Sequence, residues 1–432
     1  MKNKQKNKNI IISGLLSRCN LSNIILFLIF LAFLFLRFYQ LESRSEFRWD
    51  QVDNAWAAKD ILIDGRLPLV GMVAKQNTGF FIGPLYYYFI TPFYWFFNLD
   101  PIASAVISRI TSIITFIVLY LIALKIFSKN TALWVIGLYT FSYYFLYEEG
   151  KQWPINFIAP VSALIFYFLY NLLSEKKEKY FFPLVIFTGI SFHLNFTAIF
   201  FPLIIFFCLP FFPRTKKMLL YILLSLLLFV AFFIPNIIFE IQNKATSSSH
   251  MFSYLGSYYH GFHLRRFIQI TPLSLIQYKL ILSVTKVDWI GYSILPIFVL
   301  VLWFSKTIKE KNIFIYLVLL WTLIPWISFS AYMGEITDYY LALSVPIVLF
   351  SLSVIISRLF EYKNLILKSG VFLILFIYFI INLSSFFAFR LQGIDYHKQQ
   401  VKKAIEEGKK IDYTIGDPQS YIYYIYNQRQ SK

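Results

Sequence analysis

The chain has 432 residues, of which 58% are hydrophobic, 21% aromatic and only 14% charged, with a net charge of +18. Soluble domains carry about 25% charged residues, and a polar surface cannot hide this much Phe, Leu and Ile. A soluble globular domain is excluded, and lipid is the natural solvent. The excess of positive charge does not describe a nucleic-acid binder. It falls in short clusters between apolar runs: Lys2 to Lys8 with Arg18, Lys125 and Lys129, Lys176 to Lys179, Arg214 to Lys217, Lys306 to Lys311, and Arg358 to Lys368. Clusters at alternate loops mark the cytoplasmic side of a multi-pass protein, not a basic stripe on one face.

The first apolar run predicts a span over 22–39. A basic start before an apolar run is also the pattern of a signal peptide, but no small-residue cleavage site follows, only Arg37, Phe38, Tyr39 and Gln40. The run reads as a retained helix with a cytoplasmic N-terminus. Residues 40–100 form a polar stretch whose acidic and basic residues nearly balance, which places it outside the cell. Within it, Val52 to Ile63 reads as an amphipathic helix ending at Gly65, a residue suited to a C-cap. Pro84 to Phe97 reads as a helix lying in the interface, interrupted by Pro92, with Tyr86, Tyr87, Tyr88, Tyr94 and Trp95 at headgroup level.

Further spans are expected at 101–127, 131–147, 155–173, 181–194, 197–212, 218–239, 290–304, 313–331, 341–357 and 369–388. The expectation is an all-α polytopic membrane protein with about eleven transmembrane helices and a helical first extracytoplasmic loop. The pair 181–194 and 197–212 is short enough to be a re-entrant hairpin instead. With both crossing, every basic cluster falls inside. The segments 40–100, 148–154, 240–289, 332–340 and the tail 389–432 then fall outside. Residues 1–388 form the membrane domain, and the short tail reads as a cap on the outer face. Cys19 and Cys208 give no disulfide framework, and no Cys/His metal cluster exists.

The most informative stretch is Phe47-Arg48-Trp49-Asp50-Gln51-Val52-Asp53-Asn54-Ala55-Trp56. On a helix, Asp50 and Asp53 lie one turn apart on a shared face. Such carboxylates suit a general base or a divalent-cation ligand. They equally suit a plain helix start, with one Asp as cap and the second offsetting the dipole.

The order of motifs resembles the GT-C class of membrane glycosyltransferases. It is most similar to glycosyltransferase family 39, which includes protein O-mannosyltransferases and the bacterial lipid A aminoarabinose transferase. The matching residues run from Trp49 through Leu67-Pro68-Leu69 and Gly83-Pro84-Leu85-Tyr86-Tyr87-Tyr88 to Ser108-Arg109-Ile110. Fainter echoes are Trp153-Pro154-Ile155-Asn156 with Pro160, Gly189 to Pro202 around His193-Leu194-Asn195-Phe196-Thr197-Ala198, and Asp338-Tyr339-Tyr340-Leu341 with Pro346. There are departures. Gln51 stands where relatives often carry a second carboxylate, a role open to Asp53. Gly83 stands where some carry a Lys for the donor phosphate. His193 and Asn195 stand where Gln and His are usual.

The resemblance implies an inverting sugar transfer at the outer face of a bacterial inner membrane. The donor would be a polyprenyl-phosphate sugar, with Asp50 as the base. The departing phosphate gains negative charge and needs cations aimed at it, for which Lys75, Arg109, Arg265 and Arg266 are candidates. Tyr86, His193 and Tyr340 lie in the matched motifs as further substrate-binding candidates. Glu148 and Glu149 with Asp50 are candidates for a metal site, so a divalent cation stays open. His250, His260 and His263 are scattered and define no metal geometry. Tyr254, Tyr258, Tyr259 and Trp289 of the long outer loop are available to stack on a sugar, although an aromatic belt explains them equally well. No Gly-rich phosphate loop is present, so no nucleotide or organic cofactor is expected. The acceptor, whether glycan, lipid or protein, is not identified. The rival readings are a transporter or flippase of lipid-linked sugars, and an O-antigen polymerase or ligase. The first would be expected to show inverted repeats, and none is found. The second would place its functional residues in a large late loop.

Overall fold

The computed structural model describes residues 21–75, 78–274 and 311–430. Among these, six helices are long and apolar enough to cross a membrane, and a seventh arises if one bent pair counts as a single span. The described residues form no strand beyond isolated bridges. The protein is thus a helical multi-pass membrane protein, as composition required.

The spanning helices begin with α1 (Leu21–Phe38) and α4 (Ile102–Ile126). The segment between them holds α2 (Trp49–Ile63) and α3 (Leu85–Phe96). Helix α3 continues through Pro92 instead of breaking there. The proline costs one hydrogen bond, but burial of Tyr86, Ile90, Thr91 and Tyr94 along the helix holds it together. Helix α4 starts where Asp100 Oδ1 accepts the Ile102 N–H at 2.9 Å. Its first exposed donor is satisfied there, and Asp100 offsets the positive end of the dipole.

The expected span 131–147 is two pieces: α5 (Lys129–Phe141), capped by Ser128 Oγ on Thr131 N at 3.1 Å, and the short α6 (Tyr143–Glu148). Helix α7 (Ile158–Glu175) follows a turn of 3-10 helix over Pro154–Phe157. Next come α8 (Phe181–Ser191) and α9 (Phe200–Cys208), separated by a break over 192–195. Asn195 restarts the chain by accepting the Thr197 N–H at 2.9 Å. Helices α10 (Lys216–Phe232) and α11 (Ile234–Gln242) meet at 50°. Pro235 at the start of α11 explains that bend, since it cannot donate to the preceding turn. Two shorter helices follow, α12 (Thr246–Tyr258) and α13 (Leu264–Ser274). The expected span 290–304 and Trp289 lie outside the described residues. The last membrane-length helices are α14 (Lys311–Ser330), α15 (Val345–Glu361) with its 3-10 lead-in Asp338–Ser344, and α16 (Leu365–Ala388).

Helix α5 forms the middle of one layer, packed on α1, α4 and α15. Helix α7 bridges α4, α8, α14 and α15. Both are largely buried, whereas α1 and α16 show most of their length to the surroundings. Helices that are apolar all round and only partly covered by protein belong in lipid.

The tail is not a free appendage. It forms α17 (Ile394–Glu406) and α18 (Pro418–Gln430), and α18 lies against α2. Ile394 N reaches Glu42 O at 2.9 Å, Trp49 N reaches Gly416 O at 3.0 Å, and Tyr421 donates to Leu99 O at 2.8 Å. Lys398 bridges Glu42 at 3.2 Å and Asp100 at 2.7 Å. Gly416 has φ +70°, and a Cβ there would sit 2.5 Å from the Trp49 ring, so only glycine fits.

Candidate active site

Helix α2 carries Asp50 in its first turn. Its entry is fixed by Gln51, whose Oε1 accepts the Arg48 N–H at 3.1 Å. The Gln51 side-chain amide meanwhile donates to Gln152 O at 3.3 Å. The residue that replaces the second carboxylate of relatives therefore ties the helix start to segment 150–153. Gly65, with φ +65°, ends the helix as expected.

Asp50 is half-buried and Asp53 is exposed one turn later. Neither carboxylate accepts a hydrogen bond among the described residues. Burial first, then the Asp53 and Glu46 charges, push the Asp50 carboxyl up from 3.8 to about 6. Desolvation also raises Asp53. Two phenols of α3 face this corner. Tyr86 is buried and its hydroxyl accepts from Gln152 Nε2 at 2.7 Å. The Tyr87 hydroxyl feels both Asp50 and Asp53, and with burial this raises it well above its ordinary value. The arrangement offers an unpaired carboxylate, more basic than usual, among aromatic walls.

A second cluster holds the cations. Residues 71–74 and 80–82 pair as a short ribbon, with Gly71 N to Ile82 O at 2.8 Å and Ala74 N to Phe80 O at 2.8 Å. The ribbon presents Lys75 to three tyrosines. Lys75 Nζ donates to Tyr332 Oη at 2.8 Å and lies 5.4–5.9 Å from the ring centres of Tyr254, Tyr258 and Tyr332. Arg266 forks onto the same segment, Nε to Tyr332 O at 3.0 Å and Nη2 to Gly334 O at 2.7 Å. Tyr254 and Tyr332 hydroxyls are hydrogen-bonded to each other. Arg265 is exposed beside them on α13.

Other expected residues are engaged elsewhere. Arg109 is 3% exposed, and its guanidinium is spent on Glu149 O and on Ser45 Oγ at 3.1 Å. A charge at that depth must find fixed partners, and these are the ones the fold supplies. Glu149 pairs with Arg37 at 3.0 Å and accepts from the Tyr139 hydroxyl. Glu148 pairs with Lys151 at 2.9 Å. Asp50, Glu148 and Glu149 are therefore not assembled as a cation site, and among the described residues no three His, Cys, Asp or Glu side chains converge.

His193 is buried in the break between α8 and α9, where its Nδ1 accepts from Leu85 N at 3.4 Å. A Cβ on Gly83 would lie 1.9 Å from that nitrogen. The imidazole thus fills the space that a lysine at position 83 would need. Tyr340 is buried among Phe196, Phe329 and Tyr339. The neighbouring Trp153-Asn156 pair shapes the turn before α7: Trp153 Nε1 donates to Asn156 Oδ1 at 2.8 Å, and Asn156 Nδ2 to Lys151 O at 2.7 Å.

Two residues central to this arrangement, Tyr332 and Arg37, escape a reading of motifs. Arg37 had a signal, since an arginine closing an apolar run needs a buried partner. Tyr332 had only its place at the outer end of a span.

A family model for dolichyl-phosphate-mannose–protein mannosyltransferases matches residues 82–239, a region that begins after Asp50. Among solved structures, ArnT from Cupriavidus metallidurans bound to undecaprenyl phosphate superposes with a TM-score of 0.63 at 11% identity, covering 92% of this chain and 84% of that one. The chain has the GT-C fold. The same ArnT in the apo state gives a TM-score of 0.55 at 11% identity, covering 94% and 69%. No curated protein matches by sequence. The structural match thus covers 92% of the chain, whereas the family model marks only residues 82–239.

Proposed function

We propose that this GT-C protein transfers a sugar from a polyprenyl-phosphate donor to an acceptor hydroxyl at the outer face of a bacterial inner membrane. The transfer inverts the anomeric centre, and Asp50 is the general base. The observation that carries the reading is Asp50 itself: a carboxylate with no protein hydrogen bond, raised to about 6 by burial and by Asp53 and Glu46. A base is most effective when its pKa lies near the working pH. At pH 7 Asp50 is mostly ionised, yet a stronger base than an exposed aspartate.

The acceptor O–H gives its proton to Asp50 as the oxygen bonds to the anomeric carbon. The bond from that carbon to the phosphate oxygen breaks on the opposite face, and the electron pair leaves with the polyprenyl phosphate. Lys75, which keeps one donor beyond Tyr332 Oη and Glu335 O, is the cation for that phosphate. Arg266 holds Tyr332 and Gly334 in place beside it. The ArnT structure bound to undecaprenyl phosphate supports a lipid phosphate as the ligand of such a fold. Segments 40–100 and 240–289 and the tail 389–432 then share the extracytoplasmic side, and the N-terminus is cytoplasmic.

The test is release and transfer of sugar from a panel of radiolabelled polyprenyl-phosphate sugars by purified protein in lipid. Wild type should turn over at least one donor, Asp50→Asn should bind it without turnover, and Lys75→Met should raise the donor KM about tenfold or more. Turnover that survives Asp50→Asn would remove the base. Binding by wild type with no turnover of any donor would favour the flippase reading, and failure of every donor to bind would remove this donor class.

A further inference from the structure

The tail and α2 enclose a cleft of about 450 Å³ that none of the chemistry above uses. Trp56, Tyr413, Tyr423 and Tyr424 line it, with Asn427 at its rim. Its size falls in the range of small-ligand sites. We propose that this cleft binds a neutral oligosaccharide, and that this oligosaccharide is the acceptor.

The chemistry of the walls points to sugar. A pyranose ring has apolar C–H faces and a belt of hydroxyls. Flat aromatic rings cover the first, and phenol and amide groups bond the second. Trp56 stands at the centre, with Tyr413 at 5.5 Å and Tyr421 and Tyr424 each at 5.1 Å between ring centres. Its indole N–H is buried, so the groups open to sugar hydroxyls are the phenols and the Ser420, Asn427 and Gln428 side chains of the lining. Tyr413 is 66% exposed, so its ring is open to a ligand in the cleft.

Charge narrows the ligand further. None of the residues that line the cleft is charged, which suits a neutral sugar better than a phosphate or a uronic acid. Lys59 lies 5.8 Å from the Trp56 ring and 5.5 Å from that of Tyr424, and it is paired with Asp64 at 2.9 Å and Asp60 at 3.1 Å. A polyprenyl donor also has a better-suited place at Lys75.

Position gives the cleft its role. Trp56 and Asp50 are on the same helix, about 9 Å apart along its axis at 1.5 Å per residue. Asp53 lies between them. A chain of sugars on the aromatic floor would present its end to Asp50. The assignment as acceptor rests on the transferase reading; sugar binding in the cleft does not.

The experiment is saturation-transfer NMR on the full chain in lipid nanodiscs. The probes are neutral trisaccharides of glucose, mannose, galactose and N-acetylglucosamine, with no donor present. At least one should give a saturable signal. Tyr413→Ala and Asn427→Ala, both exposed positions, should each weaken it about tenfold, a loss of about 1.4 kcal/mol. No saturable signal from any trisaccharide, or a signal indifferent to both cleft variants, overturns the proposal. Since neither donor nor turnover enters the measurement, its failure leaves the assignment of Asp50 standing.

Discussion

Replacing Asp53 with Asn removes one of the two charges that raise the Asp50 carboxyl, burial being the larger cause. The rise from 3.8 to about 6 is roughly two units, or ~3 kcal/mol of preference for the neutral form. Carboxylates one helical turn apart are separated by about 6 Å. Their repulsion is about 0.7 kcal/mol in water-like surroundings and about 2.8 kcal/mol at an effective dielectric near 20. The second figure would consume nearly the whole shift and leave nothing for burial, so the lower end governs. The Asp53 share is then about 0.5 to 1 unit. The assay is the pH profile of kcat/KM with a polyprenyl-phosphate sugar, which reports the free enzyme. In wild type the acid limb should bend near pH 6. In Asp53→Asn it should bend about 0.5 to 1 unit lower, with the plateau little changed. An unmoved limb, or one moved upward, would refute the coupling. Loss of the plateau itself would show that Asp53 takes part in the chemistry.

Asp50→Asn should also stabilise the fold. The folded pKa lies above the unfolded one, so the ionised carboxylate costs stability fully above about pH 6, and the cost vanishes below about pH 4. Thermal melts should therefore show the variant above wild type at pH 7.5 and level with it near pH 4. Glu149→Ala should lower stability by about 3–5 kcal/mol, because it strands Arg37 in a buried position; Arg109→Ala should likewise lower the melting temperature and the folded yield without a specific change in donor KM. Gly416→Val forces a branched side chain into a left-handed backbone and against Trp49. Turnover should fall about tenfold or more while donor KM holds, measured by steady-state kinetics in nanodiscs.

Much of the membrane region was legible because apolar length and charge parity are written locally. Helix α2, its end at Gly65 and the interfacial helix α3 followed from short-range signals of the same kind. The fate of individual charges did not. Arg109 and Glu149 looked like site residues because motif order resembles a family whose active face is charged. Only the folded chain shows Arg109 turned to a carbonyl and Glu149 to Arg37. The meaning of Gly83 was equally hidden, since it depends on the His193 ring, brought in from a distant break between helices. Pairings of this sort carry no periodicity, so no window along the sequence reveals them. The tail was expected to cap the outer face; its grip on Trp49 and Trp56 needed coordinates.

That grip has a consequence for biosynthesis. Helix α2 leaves the ribosome early and must wait while every later membrane helix is inserted. Its braces, Gly416, Tyr421 and Tyr424, are translated only after α16. Until they arrive, the carboxylate that would do the chemistry sits on an unsupported loop. A chain cut short by a premature stop would still enter the bilayer with all its motifs, but without the wall that holds them. Arrival of the tail thereby becomes a checkpoint for assembly of this face of the protein.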